Sequence, residues 1–162
     1  LQVTGGGVGS AVLLEGHLFR GVSGMSPELG HMAVQANGRL CSCGSRGCLE
    51  TVASGPALCR RFGEDYDRRD PGIVRYEAKH LAFGIQALAN LLGLSHFVLY
   101  QDILDSTEDL VREIGRFVGI DGLYRTFRPL EVHGPMAPDP TPGHSACALA
   151  VDRFLLDLSQ RK

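Results

Sequence analysis

Apolar residues recur at helical spacing along two long segments of the chain, residues 74–92 and 110–118. In the first segment they occupy six positions on one helical face: Val74, Ala78, Leu81, Ile85, Leu88 and Leu92. In the second they occupy five: Leu110, Val111, Ile114, Phe117 and Val118. Gly93 is typical of a helix end, and Ser106 with Asp109 is typical of a capped helix start. The pattern therefore predicts an amphipathic helix over each segment.

Shorter patterns predict two further helices and several strands. One helix is expected to begin after Ser54 as N-cap, with Pro56 in its first turn, and another to cover residues 144–158. Strands are predicted for residues 1–4, 96–100 and 130–132, and a hairpin for residues 11–19 with its turn at Glu15-Gly16. Residues 20–50 are predicted to form a long loop, and residues 63–72 a charged linker. This order predicts an α/β layer fold with a mixed sheet.

Length and composition indicate one globular domain and exclude several classes of protein. The chain has 162 residues, of which 44% are hydrophobic, and its net charge is -2 with a pI of about 6.3. This balance does not indicate a nucleic-acid-binding surface. There is no apolar run of about 18 residues that would span a membrane, and no signal-peptide pattern at residue 1. We therefore expect a cytoplasmic protein whose thiols are reduced.

Three of the five cysteines lie within eight residues, in the stretch CSCGSRGC. Cys41, Cys43 and Cys48 follow His31, which lies ten residues before the first of them. Thiolate and imidazole are the ligands of closed tetrahedral zinc sites, so this group is a candidate Cys₃His site. The spacing is only moderately specific, and free thiols or a redox pair are the alternatives. Cys59 and Cys147 fall in helical patterns and are expected to be small core residues.

The stretch PELGHM, followed by CSCGSRGCLETVASGPAL, resembles the signature of the ROK family of bacterial sugar-responsive repressors and sugar kinases. The resemblance is continuous over about residues 24–58 and weaker elsewhere. It implies the C-terminal lobe of a two-lobed actin-like, ribonuclease-H-like fold, with a mixed sheet, helices and a zinc-stabilised loop at residues 24–50. By this resemblance residues 1–162 are a single lobe, and an N-terminal lobe and any DNA-binding helix-turn-helix lie upstream.

The resemblance also implies roles for individual residues. Glu28, His31 and Glu50 are expected at the hydroxyls of a sugar, and Gly7 of the first glycine turn completes the predicted sugar-binding set. Structural Zn²⁺ is expected on His31, Cys41, Cys43 and Cys48. Carboxylates accept paired hydrogen bonds from vicinal hydroxyls, and a zinc ion would hold the loop that carries them. For Glu50 a purely structural alternative is an acid placed at a helix N-terminus.

Several positions depart from the family pattern. Pro27 stands where a glycine precedes the acid of the family motif, and Gly6 stands where kinase members have threonine. Residues 100–104, YQDIL, stand where kinase members have three glycines against the adenosine. The catalytic aspartate of family kinases would lie in the N-terminal lobe, so no catalytic residue is predicted in this chain. ATP and Mg²⁺ are not expected to bind.

These departures favour the sugar-binding effector lobe of a ROK transcriptional regulator of carbohydrate metabolism. The alternative is the C-terminal lobe of an ATP-dependent sugar kinase of the glucokinase or N-acylhexosamine kinase type. A third is a homologue that retains only the fold and the zinc. The expected partners are a sugar or sugar phosphate, DNA only through an upstream domain, and further copies of the chain in a dimer or tetramer; no membrane partner is expected.

Overall fold

The computed structural model describes residues 2–3, 6–101, 107–120 and 129–134. Its helices are the 3₁₀ helix Leu29–His31 and the α-helices α1 Glu50–Ala53, α2 Gly55–Phe62, α3 Pro71–Leu92 and α4 Thr107–Ile120. Its strands are β1 Gln2–Val3, β2 Val8–Gly9, β3 Leu13–Leu14, β4 His17–Leu18, β5 His96–Val98, β6 Tyr100–Gln101 and β7 Glu131–His133. The helix predicted over residues 144–158, the predicted cap Ser106 and Cys147 lie outside the described residues.

The strands in the described part of the chain form three small sheets. In the first, β1 pairs antiparallel with β2 and parallel with β6, which gives the predicted mixed arrangement. The second is the hairpin β3–β4, and its turn residues Glu15 and Gly16 have φ angles of 53° and 82°. Two positive φ angles are the signature of the type I′ turn that matches strand twist, so the predicted hairpin is confirmed. In the third, β5 and β7 are parallel.

Residues 96–100 do not form the single strand that was predicted. The segment divides at Leu99, so β5 pairs with β7 while β6 pairs with β1. Burial still alternates through the segment, with Phe97, Leu99 and Gln101 buried. The alternation expected of one strand is therefore present, but the hydrogen-bonding partner changes within it.

Both predicted helices on either side of the linker are confirmed, and one begins earlier than expected. The Ser54 hydroxyl accepts a hydrogen bond from the Ala57 N–H at 3.3 Å and caps α2. Asp70 caps α3 in the same way, and Pro71 is the first helical residue. Asp followed by Pro is a strong helix start. The linker is therefore residues 63–70 rather than 63–72.

The core lies between α3 and two neighbours, helix α4 and the end of the cysteine loop. Leu81 and Ile85 of α3 are buried, as are Leu110 and Ile114 of α4. Gly84 lets α3 approach the cysteine loop closely, because a Cβ there would lie 2.9 Å from a methyl group of Leu49. The long helix thereby supports the end of that loop. No helix in the described part of the chain is long and apolar enough to cross a membrane.

Candidate functional site

The cysteine loop is held in shape by backbone hydrogen bonds between its two ends. The N–H groups of Val34 and Gln35 both donate to the Gly47 carbonyl, at 2.8 and 3.1 Å. The Leu49 N–H donates to the Met32 carbonyl at 2.8 Å. Gly47 has a φ of 72°, and a Cβ there would overlap with the Gln35 carbonyl oxygen. Only glycine fits this position, so the loop can close on itself and bring its ends together.

This closure gathers the four residues predicted to bind metal. One donor atom from each of His31, Cys41, Cys43 and Cys48 lies within 4.8 Å of the other three. His31 Nδ1 is 3.5 Å from the Cys41 sulfur, and the Cys43 and Cys48 sulfurs are 3.6 Å apart. No other group of this kind occurs in the described ranges. A cluster of one imidazole and three thiols could bind a metal such as zinc.

The thiols of the cluster differ in their acidity. The backbone N–H of Cys43 lowers the pKa of Cys41, and the backbone N–H of Ser45 lowers the pKa of Cys43. Burial, followed by the hydrogen bonds to the other two cysteines, raises the pKa of Cys48 to about 12. Three thiolates therefore cannot coexist at neutral pH without a compensating cation. A divalent metal supplies that charge and deprotonates coordinating thiols, so the donor set fits zinc.

The predicted sugar-binding residues come from three separate segments that meet at β2. Glu28 immediately precedes the 3₁₀ helix, is exposed, and makes no capping hydrogen bond with its side chain. His31 ends the same helix, and Gly30 packs so closely on β2 that a Cβ would overlap with the Val8 carbonyl oxygen. Glu50 begins α1, and its Oε2 accepts a hydrogen bond from the Val8 N–H at 3.4 Å.

Gly7 lies directly against the Glu50 carboxylate. A Cβ at Gly7 would overlap with Glu50 Oε2, so the glycine is required for the acid to reach the strand. The structure thus brings Gly7 and Glu50 together. It places Glu28 directly before, and His31 at the end of, the 3₁₀ helix that packs on the same strand. The helix-start alternative for Glu50 is compatible with this, because the residue is also the first of α1.

Several contacts of the site were not anticipated from the sequence. The Ser10 hydroxyl donates to the Pro27 carbonyl at 2.7 Å and fixes the segment before Glu28. On the far side, Gln35 Nε2 lies 3.3 Å from His80 Nε2 and joins the cysteine loop to α3. Strand β2 was also missed, whereas the helix start at Glu50 had been considered only as an alternative. One residue did signal the packing of α3 against the cysteine loop. Gly84 is an isolated glycine inside a helical pattern, which indicates a close approach by a neighbouring segment.

The segment that was expected to block a nucleotide is only partly described. Tyr100 and Gln101 form β6, and Asp102–Leu104 lie outside the described residues. Gln101 is fully buried, and its amide donates to the Glu77 carboxylate at 3.0 Å. Burial, opposed by Arg68 and by this hydrogen bond, raises the pKa of Glu77 to about 7. The end of β6 is thus filled by a polar pair rather than by glycines.

Comparison with known proteins identifies the family. A model described as the ROK family matches residues 2–119. The chain therefore belongs to the ROK family.

Similar proteins include both regulators and enzymes. The xylose repressor of Bacillus subtilis is 54% identical over 128 residues, covering 78% of this chain and 28% of the repressor. The glucokinase of Thermotoga maritima is 41% identical over 85 residues, covering 48% of this chain and 27% of the enzyme. The chain thus spans less than a third of the length of either relative.

Comparison with a solved structure confirms the fold. The ROK hexokinase from Thermus thermophilus superposes with a TM-score of 0.70 at 23% identity, over 85% of this chain and 51% of that one. At this identity the likeness concerns the fold alone. The predicted actin-like ATPase fold is confirmed.

Proposed function

We propose that the chain is the sugar-binding effector lobe of a ROK transcriptional regulator of carbohydrate metabolism. The observation that carries the proposal is the meeting at β2 of Glu50 and the 3₁₀ helix Leu29–His31, which Glu28 precedes. Both lie beside the four clustered side chains that could bind a metal. Glu50 is hydrogen-bonded to β2, and Glu28 and His31 lie on either side of Gly30, which packs on the same strand. The lobe, residues 1–162, would work with an N-terminal lobe, and any DNA contact would be made by a domain upstream.

Structural Zn²⁺ is the cofactor that we propose for His31, Cys41, Cys43 and Cys48. Bound there, a zinc ion supplies the positive charge that lets all three thiols ionise. His31 then links the two halves of the site, because it is both a cluster member and the last residue of the helix that follows Glu28. The metal would hold the 24–50 loop, and through it the two acids, in a fixed arrangement.

Glu28 and Glu50 are proposed to accept hydrogen bonds from sugar hydroxyls, with His31 and Gly7 beside them. Ionised carboxylates accept charge-assisted hydrogen bonds, which are the stronger kind. Glu28 is exposed and Glu50 is half-buried, so both can be reached by a ligand. Xylose is the first sugar to test, because the repressor relative that covers most of this chain is named for it.

Two positions support a regulator over a kinase. Gly6 lacks the hydroxyl that kinase members place in the first glycine turn. At the end of β6, the buried Gln101 side chain and its partner Glu77 stand near where kinase members have glycine. The alternative, an ATP-dependent sugar kinase, is favoured by the glucokinase relative.

Two assays on the full-length protein, DNA binding and sugar phosphorylation, distinguish a regulator from a kinase. A regulator should bind DNA from its own promoter region and release it, or bind it more tightly, when sugar is added. It should also show no sugar phosphorylation above background with ATP and Mg²⁺ in a coupled assay over xylose, glucose and N-acetylated hexosamines. Robust turnover of any of these sugars would overturn the regulator proposal in favour of the kinase.

Size-exclusion chromatography with light scattering would test the proposed dimer or tetramer in the same preparation. A monomer at micromolar concentration would contradict that part of the proposal.

A further inference from the structure

The four clustered side chains divide into two close pairs, and one pair consists of two thiols. His31 Nδ1 lies 3.5 Å from the Cys41 sulfur, whereas the sulfurs of Cys43 and Cys48 lie 3.6 Å apart. Because the S–S bond of a disulfide is about 2.05 Å long, these two sulfurs have to approach by only about 1.5 Å to be joined. The distances therefore favour Cys43 and Cys48 as the pair that oxidation would join.

The two cysteines of this pair differ in their access to solvent. Cys43 is exposed at the tip of a tight turn, in which the Gly44 N–H donates to the Cys41 carbonyl at 3.0 Å. Cys48 is fully buried, and its backbone forms an isolated β-bridge with Ala33. A dissolved oxidant can therefore reach Cys43 but not Cys48. An accessible thiolate beside a second thiol is the arrangement found in redox-sensing cysteines.

The turn that carries Cys43 has room to move towards Cys48. Gly44, the next residue, has a φ of 89°, and apart from the adjoining residues no atom lies within 4 Å of the position that a Cβ would take there. The end of the loop is held separately, because the Leu49 N–H donates to the Met32 carbonyl at 2.8 Å. The two sulfurs can therefore approach through a shift of the tip alone.

We propose that Cys43 and Cys48 form a reversible disulfide on exposure to hydrogen peroxide, and that this bond releases the metal from the cluster. The Cys43 thiolate attacks one peroxide oxygen, which gives a sulfenic acid on Cys43 and a hydroxide ion. The Cys48 thiolate then attacks the sulfenic sulfur, the S–S bond forms, and a second hydroxide leaves. The two thiolates lose two electrons in all, and the peroxide gains them. A dithiol reductant reverses the reaction by thiol–disulfide exchange.

Oxidation would act on the site through its metal ligands. A disulfide sulfur is no longer a thiolate, so only His31 and Cys41 remain as donors, whereas a closed zinc site uses four. Release of the metal rests on the proposed function, in which zinc holds the loop. Formation of the disulfide itself needs only the two thiols.

Peroxide treatment of the full-length protein, followed by alkylation of the free thiols and peptide mass mapping, tests the disulfide. Trypsin cuts after Arg46, between Cys43 and Cys48, so the bond would join two separate peptides. The parent should yield this pair of joined peptides, and a chelating dye should detect one zinc released for each disulfide formed. Dithiothreitol should restore both thiols. Because mapping detects the disulfide in protein with or without zinc, it distinguishes a failure of this proposal from a failure of the zinc assignment.

Two variants separate the roles of the two sulfurs. Cys48→Ser lacks the second thiol and should accumulate sulfenic acid on Cys43, which dimedone traps as an adduct of known mass. Cys59→Ser is the matched control, because Cys59 lies on α2 outside the cluster, and it should form the Cys43–Cys48 disulfide as the parent does. Absence of the joined peptides from the oxidised parent would overturn the proposal. So would pairing of Cys43 with any other cysteine, or a disulfide that forms while the bound zinc stays in place.

Discussion

Replacing Cys43 with Ser is the sharpest perturbation of the metal cluster. Cys43 is the one exposed cysteine of the cluster, whereas Cys41 and Cys48 are buried at 6% and 0% exposure. The substitution therefore removes a ligand without opening a hole in the core. The hydroxyl of serine is a poor zinc ligand at neutral pH, so the ion keeps only three protein donors.

The size of the effect follows from the coupling of metal binding to folding. A metal that binds only the folded state stabilises it by about 4 kcal/mol when its free concentration is about 1,000 times its dissociation constant. For a unit of about 150–250 residues, each kcal/mol corresponds to roughly 2–4 °C in Tm. Loss of the ion should therefore lower Tm by roughly 8–16 °C, and a strong chelator should lower the parent to about the same value.

The assay combines metal analysis with thermal unfolding of the full-length protein. The parent should contain about one zinc per lobe, since the structure provides one four-donor cluster in its described part. Cys43→Ser should contain little zinc and should not respond further to chelator. Cys59→Ser is the matched control, because Cys59 is a half-buried thiol on α2 outside the cluster. Stoichiometric zinc retained in Cys43→Ser, or zinc lost equally in Cys59→Ser, would refute the assignment.

Three further substitutions test the packing around the site. Gly47→Ala should reduce zinc retention and stability because the added Cβ would overlap with backbone atoms. Gly44→Ala has open space around it and should cost only about 1 kcal/mol of backbone strain. Metal analysis of the two variants checks this, and equal zinc loss in both would contradict it. Leu49→Ala should lower the free energy of unfolding by about 2–5 kcal/mol in a denaturant titration, and exposed Leu91→Ala by under about 0.5 kcal/mol; equal losses would contradict the core assignment. Because the pKa of Glu77 is raised to about 7 in the folded state, the parent should lose stability as pH rises from about 4.5 through 7. Glu77→Gln cannot ionise and should remove up to roughly 3 kcal/mol of that loss. A pH profile of unfolding that is the same in variant and parent would contradict the prediction.

Local chemistry made part of the fold predictable. The type I′ turn at Glu15-Gly16 and the cap at Ser54 depend on a few adjacent residues, and both are present in the structure. The division of residues 96–101 between two sheets was not predictable. Alternating burial specifies a strand but not its partner, and the partners here come from β1 and β7, far away in the sequence.

The same distinction applies to the site. Cys41, Cys43 and Cys48 lie close together in the sequence, so their convergence needed only the glycines between them. The contact of Glu50 with the Val8 N–H joins residues 42 positions apart, and no local pattern encodes it.

One buried polar contact could not be predicted for a related reason. The pairing of Glu77 with Gln101 unites two polar residues whose patterns favour solvent, and only the packed fold buries both. These two residues lie on α3 and β6, so their contact exists only once the helix has packed on the sheet.

The most direct test of the proposed function is the sugar affinity of Glu50→Gln in the full-length protein, measured by calorimetry beside its zinc content. The parent should bind xylose or its cognate sugar, and Glu64→Gln, an exposed linker acid, should bind it equally well. A charged hydrogen bond contributes about 1.5–3 kcal/mol, so Glu50→Gln should bind the sugar about tenfold or more weakly with its zinc unchanged. Sugar binding by Glu50→Gln as tight as that of the parent would contradict the account and leave Glu50 as the first residue of a helix.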